Sequence, residues 1–393
     1  MDRTPHRAAR IFVAVAGPAL IALVPMAVIP ALPQMAERFA ASGNGALFAQ
    51  MVMTVPAVFI ILATLVSGWL VERLGRRSVM LSALAVYTVA GLGLTVAPSA
   101  EALIAMRLAL GFCAGLVMTC SMSMVADFRE GGERERVLGF ASASAAALAV
   151  VAQVAGGLLV QAFGWRGSFL LYALAAPVFA VALVGATDLR SVRQAAAALP
   201  LRRLLWPVML LTLVLTLGLF MPGIQGPFLL VSRGVVEPAT IGMVLASYSV
   251  AAALVAASYG WIAQRIGMAA QIALAGLGMG VGCLLLAWLP LGVSGFVFGC
   301  VVVGAGVGLI EPLTVTLALQ RTPAAQHTRA IGLLLSSVFL GQFLNPVLVN
   351  PLRGQLGDVG SFTIVGTFFV VLGVLAACGT LARLTTYSMS PSR

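Results

Sequence analysis

SGWLVERLG occupies residues 67–75, and YGWIAQRIG occupies residues 259–267. The two stretches lie 192 residues apart, close to half of a 393-residue chain, and Gly, Trp, Arg and Gly recur in register. A second pair has nearly the same offset: GFCAGLVMTCSMS starts at Gly111 and GAGVGLIEPLTVT starts at Gly304. That register also sets Arg136 on Arg329 and Gly139 on Gly332. Two matches in nearly the same register divide the chain into two parallel halves.

What each half is made of follows from composition. The chain is 61% hydrophobic and 9% charged, whereas a soluble protein carries roughly a quarter charged residues. Apolar segments recur to the end of the chain, so one secretory signal does not explain them. A helix needs about 20 apolar residues to cross a bilayer. Twelve segments qualify: 11–32, 47–71, 78–97, 101–126, 137–162, 165–187, 204–231, 239–264, 269–290, 293–319, 329–351 and 361–384. They are numbered spans 1 to 12 below. The longest polar connection, 188–203, falls at the midpoint and reads as a linker between six-helix bundles at 1–187 and 204–393. The expectation is an all-α membrane protein with two pseudo-symmetric bundles.

The formal net charge is +11, and every basic residue other than His6 and His327 is arginine. With the N-terminus cytoplasmic, 18 arginines fall in cytoplasmic tails and loops and 4 (Arg38, Arg166, Arg233, Arg353) on the other side. This positive-inside bias accounts for the charge without nucleic acid and predicts that both termini are cytoplasmic. Without lysine there is no Walker A loop, so active transport must draw on an ion gradient or on another subunit's ATPase. GLGMGVG (276–282) lies within span 9 with no preceding strand, which points to close helix packing. The five cysteines lie in apolar segments without metal-ligand spacing, and no cluster of His and acids suggests catalysis. Neither a metal, a cofactor nor an enzymatic activity is expected.

The loop between spans 2 and 3 resembles the signature of the major facilitator superfamily, G-x-L-a-D-r-x-G-r-r/k-x-x-l. Gly68, Leu70, Arg73, Gly75, Arg76, Arg77 and Leu81 match, and Glu72 stands where Asp is usual. Arg107, Gly111 and Gly115 meet the family's R-x-x-x-G-x-x-x-G in span 4, and GGLLVQAFGWRGSF (156–169) is similar to its span 5–6 corner. The antiporter pattern G-x-x-x-G-P-x-x-G-G is met only in part: Gly156 and Gly157 close it, but Ala152 and Gln153 replace Gly-Pro. The resemblance implies a major facilitator fold in a bacterial inner membrane, with the halves rocking about a central site. It also implies a cytoplasmic gate of Gly68, Glu72, Arg73, Gly75, Arg76, Arg77 and Asp127. There Gly68 would let span 2 approach a neighbour closely, and the arginines would pair with Glu72 and Asp127.

Two charged residues fall well within spans: Arg107 in span 4 and Glu311 in span 10. An ionisable group at mid-bilayer costs at least about 2.5–3.5 kcal/mol, and its default reading is functional. Glu311 shares a helical face with Gly304 and Gly308, and its repeat-mate is Met118. Because the family's spans 1, 4, 7 and 10 line the cavity, both charges are expected to face it. Glu311 is the candidate proton carrier or cation anchor. Arg107 has two readings, a clamp on neighbouring backbone or a substrate ligand. Pro222, Gly223, Gly226 and Pro227 should break span 7 near Gln225, making Gln225 a substrate contact or a polar plug at a hinge. Gln34, Gln153, Tyr248, Gln342 and Asn345 are further candidates. So few polar groups suit an apolar or weakly cationic substrate. Proton-coupled efflux by a monomer and proton-coupled import of a metabolite both remain open. A membrane receptor, or a permease driven by a separate ATPase, is disfavoured by the gating repeat.

Overall fold

The computed structural model describes residues 4–128, 132–186, 201–289, 292–323 and 326–379, and every regular element among them is helical. Eleven of these helices are long and apolar enough to cross a membrane. The chain divides into two compact units, residues 1–193 with 237–243 and residues 194–236 with 244–393. Most of the expected linker, including Arg190 and Arg193, lies outside the described residues.

In the first unit the helices are α1 (Thr4–Met26), α2 (Leu32–Arg38), α3 (Gly45–Leu74), α4 (Arg76–Gly93), α5 (Ala100–Ala126), α6 (Glu133–Phe163) and, after a 3-10 segment at Trp165–Leu174, α7 (Ala175–Gly185). Asn44 and Ser99 start α3 and α5 as N-caps, accepting from the amides of Leu47 and Ala102. Such caps satisfy helix-end donors that lipid cannot. Glycines set the closest approaches. A Cβ at Gly111 would stand 2.7 Å from Cα of Pro56, and one at Gly115 would stand 2.8 Å from the carbonyl oxygen of Ile60. The R-x-x-x-G-x-x-x-G pattern is therefore the seam of α5 on α3.

The second unit holds α8 (Leu201–Leu219), α9 (Met221–Ser232), the greater part of α10 (Pro238–Ala257), α11 (Tyr259–Arg265), α12 (Met268–Trp288), α13 (Gly292–Val307), α14 (Ile310–Gln320) and α15 (His327–Ala377). Its glycine seam is the 276–282 stretch: Gly276 abuts Gly373, Gly278 abuts Gly306, Gly280 abuts Val370 and Gly282 abuts Val303. The stretch packs helices and cradles nothing.

Two boundaries differ from expectation. Span 7 breaks at Phe220, one turn before the predicted site, because Pro222 has no N–H for the carbonyl of Gly218 and its ring crowds that turn. Spans 11 and 12 have no loop between them. They are two helices that meet at a kink within His327–Ala377, where Gly357 alone is non-helical (φ 71°, ψ −178°). That conformation is open to glycine and strained for other residues.

Candidate functional site

Arg107 is wholly buried inside the first unit. Its Nε donates to the carbonyl of Val52 at 2.6 Å, Nη1 to the hydroxyl of Tyr172 at 2.6 Å, and Nη2 to the carbonyls of Val24 at 3.0 Å and Met53 at 3.4 Å. The Tyr172 hydroxyl in turn donates to Val24 at 2.9 Å. Each acceptor is available for a reason written in the chain. Val52 lies four residues before Pro56, which has no N–H to return. Val24 lies in the last turn of α1, where the ladder ends and the Val28 amide bonds to Pro25 instead. The expectation that Arg107 faces a cavity is thus not met. It spends its donors on orphaned backbone and ties α1, α3 and the Trp165–Leu174 segment to α5. Tyr172, edge-on to the buried Tyr87 at 5.8 Å, was not singled out from sequence. The signal was there: a proline in a membrane helix announces a carbonyl that some side chain must cap.

The second unit solves the same problem with neutral groups. The break at Phe220 leaves the last carbonyls of α8 without ladder donors. Asn345 Nδ2 donates to Leu217 at 2.9 Å, and the Tyr248 hydroxyl donates to Leu219 at 2.7 Å. Gln225 Nε2 donates to Asn345 Oδ1 at 3.3 Å. All three side chains are buried. Three residues expected to touch substrate are therefore brought together, as a plug on a broken helix.

Glu311 is different. Span 10 is interrupted at Gly308–Leu309, where Pro312 leaves the Gly308 carbonyl without its usual donor. Glu311 falls in the first turn of α14; the residue has exposed surface, while its carboxyl lies deep among the surrounding helices. Gly304 and Gly308 do not share its surroundings: both pack against α10, at Tyr248 and Ala252. The interruption takes Glu311 off that packed face. The positive end of the α14 dipole favours an anion there by roughly 0.3–1 kcal/mol, and broken helices of this kind are where transporters hold ions. Of the remaining candidates, Gln153 is buried with Nε2 3.1 Å from the Met26 sulfur, Gln342 is buried, and Gln34 is half-buried on α2.

In the gate stretch, Gly75 (φ 82°, ψ 147°) turns the chain from α3 to α4. Arg76 is buried and pairs with Asp127 at 2.6 Å, as the gate reading expected for that pair. Arg77 donates to the carbonyl of Leu183 at 2.8 Å, and Arg73 lies over the Trp69 ring at 4.4 Å, so neither uses the expected partner in these contacts. Glu72 is exposed. Gly68 does not make its expected close approach: it is exposed, and a Cβ there would meet nothing within 4 Å. Among the described residues, no group of three His, Cys, Asp or Glu could hold a metal.

A family model described as Major Facilitator Superfamily matches residues 14–346. The multidrug efflux pump Tap of Mycolicibacterium fortuitum is 28% identical over 377 residues, covering 88% of this chain and 90% of that protein. A chloramphenicol resistance protein of Pseudomonas aeruginosa is 28% identical over 335 residues, 80% of this chain and 77% of that protein. A methylenomycin A resistance protein of Streptomyces coelicolor is 36% identical over 194 residues, but the match spans only 36% of that protein's length. Among solved structures, a POT family transporter superposes with a TM-score of 0.73 at 14% identity, covering 96% of each chain. A D-xylose–proton symporter does so at 0.72 and 13% identity, covering 94% of this chain and 97% of that one. At such identities the likeness is one of fold.

Proposed function

We propose, from the premise that this chain belongs to the major facilitator superfamily, that it exports small apolar or weakly cationic organic molecules in exchange for protons. The observation that carries the reading is Glu311, an acidic residue in the first turn of a half-helix within an apolar span, with exposed residue surface and its carboxyl deep among the surrounding helices. A carboxyl so placed is reachable by protons and by a cationic substrate, and a lipid-buried helix has no structural need for it. The committed hydrogen bonds of Gln225, Asn345 and Tyr248 support an apolar substrate, since few polar groups remain to recognise a hydroxyl-rich one. The efflux and resistance proteins among the relatives support the outward direction. In this reading the chain crosses an inner membrane twelve times, with α15 divided at Gly357 and both termini cytoplasmic, and works as a monomer by alternating access. The Arg76–Asp127 pair braces the first unit's end of the gate, and the linker 188–203 joins the halves.

Proton-coupled import is the second reading, favoured by Ala152 and Gln153 in place of the antiporter Gly-Pro. Reconstitution in liposomes with an imposed pH gradient separates the two. Under antiport a proton leaves the lumen as substrate enters it; under symport both enter together. Glu311→Gln should abolish concentrative transport while leaving downhill exchange of substrate. Full concentrative transport by that variant would sink the assignment of Glu311.

A further inference from the structure

The opening repeat contains a pair that the transport reading leaves unused. Arg73 lies over the Trp69 ring at 4.4 Å and Arg265 over the Trp261 ring at 3.8 Å. Both are i, i+4 pairs on one helix face, and the two occupy the same repeat position. The copy has lost the rest of the charged loop: Glu72 becomes Gln264, Arg76 becomes Met268 and Arg77 becomes Ala269. What both halves keep is Trp-x-x-x-Arg with its flanking glycines, so this pair has a role separate from the latch.

The surroundings suggest the role. Trp69 and Trp261 are 54% and 58% exposed. On the face leading to Trp69 lie exposed Leu62, Leu65 and Val66; on the way to Trp261 lie exposed Val250 and Leu254. Each face therefore runs from apolar side chains to an indole to a guanidinium, the order of acyl chain, interface and headgroup in a bilayer. The residue before each Trp, Gly68 or Gly260, has open space where a Cβ would be, leaving bare helix beside the indole. Two other stacked arginines are spent: Arg166 on Trp165 donates to the carbonyl of Ala97, and Arg353 on Phe228 pairs with Asp358. Neither Arg73 nor Arg265 pairs with a carboxylate among the described residues. A guanidinium held over an indole contacts the ring through its π face and keeps N–H donors, and its fork matches a phosphate.

We propose that Trp69–Arg73 and Trp261–Arg265 are two equivalent seats for the phosphate of an anionic phospholipid, whose acyl chain lies along the exposed apolar face below each indole. The test is native mass spectrometry of the full chain in detergent, titrated with phosphatidylglycerol and, separately, with phosphatidylcholine. The wild type should retain two phosphatidylglycerol molecules in preference to phosphatidylcholine. Arg73→Gln and Arg265→Gln should each weaken one of these by about fivefold, the worth of one basic residue at an anionic surface. The double variant should lose the preference. The exposed pair Trp69→Leu with Trp261→Leu keeps both charges and the apolar surface, and should weaken retention while leaving the protein monodisperse. Equal retention of the two lipids by the wild type, or an unchanged preference in both double variants, would overturn the proposal. Displacement of phosphatidylglycerol by inorganic phosphate would also overturn it, by showing a free-anion site.

Discussion

Replacing Arg107 by methionine keeps most of its volume and removes every donor it brings to Val52, Val24, Met53 and Tyr172. The losses are unequal. Val24 keeps the Tyr172 hydroxyl, so its loss is near the roughly 0.6 kcal/mol average for hydrogen bonds between membrane helices. Val52 keeps nothing from its own ladder, because residue 56 is proline. A buried acceptor without a partner costs about 1–3 kcal/mol. With the Tyr172 contact included, Arg107→Met should destabilise the first unit by about 2–4 kcal/mol. For a unit of this size each kcal/mol lowers the melting temperature by about 2–4 °C, so differential scanning fluorimetry in detergent should show a fall between about 4 and 16 °C. The sharper measurement is a double-mutant cycle. Pro56→Ala gives residue 56 an N–H that can reach Val52 within the helix. Alone it should change little, since Arg107 already serves that carbonyl. In the Arg107→Met background it should recover about 1–3 kcal/mol, a coupling only sites sharing a partner can show. Strict additivity, or an Arg107→Met protein that melts like the wild type yet does not transport, would refute the clamp.

Gly75→Ala should cost about 1–3 kcal/mol, because φ 82°, ψ 147° is strained for alanine; its repeat-mate Gly267 (φ −69°, ψ 163°) should accept alanine with no change in melting. Asp127→Asn leaves the buried Arg76 without its carboxylate and should lower stability by about 1–3 kcal/mol, less than a fully buried pair because Asp127 is partly exposed; chemical denaturation in detergent would read it. Tyr248→Phe removes the donor to Leu219 at the α8–α9 break and should cost about 1–3 kcal/mol, with faster hydrogen exchange at 217–224 as its signature. An exchange rate equal to wild type would mean that the break needs no cap.

The chain by itself determined that this is a membrane protein of two parallel halves, because hydropathy and a 192-residue repeat survive without knowledge of contacts. It also placed a break in span 7 near Gln225, from Pro222, Gly223, Gly226 and Pro227, but did not show that span 10 is interrupted as well. It singled out Arg107 and Glu311 as the two charges inside spans. Only the tertiary structure decided that Arg107 is tied to neighbouring carbonyls and that Glu311 starts a half-helix. The reason is physical. A soluble helix advertises its inward face by an apolar stripe, but a span is apolar on every side, so periodicity does not say which way a polar residue points. Orientation is set by close glycine seams and by the carbonyls that prolines release. Those carbonyls called Arg107 inward to Val52, and Asn345 and Tyr248 to α8. Glu311, which has no donor to offer them when ionised, stands at the start of α14.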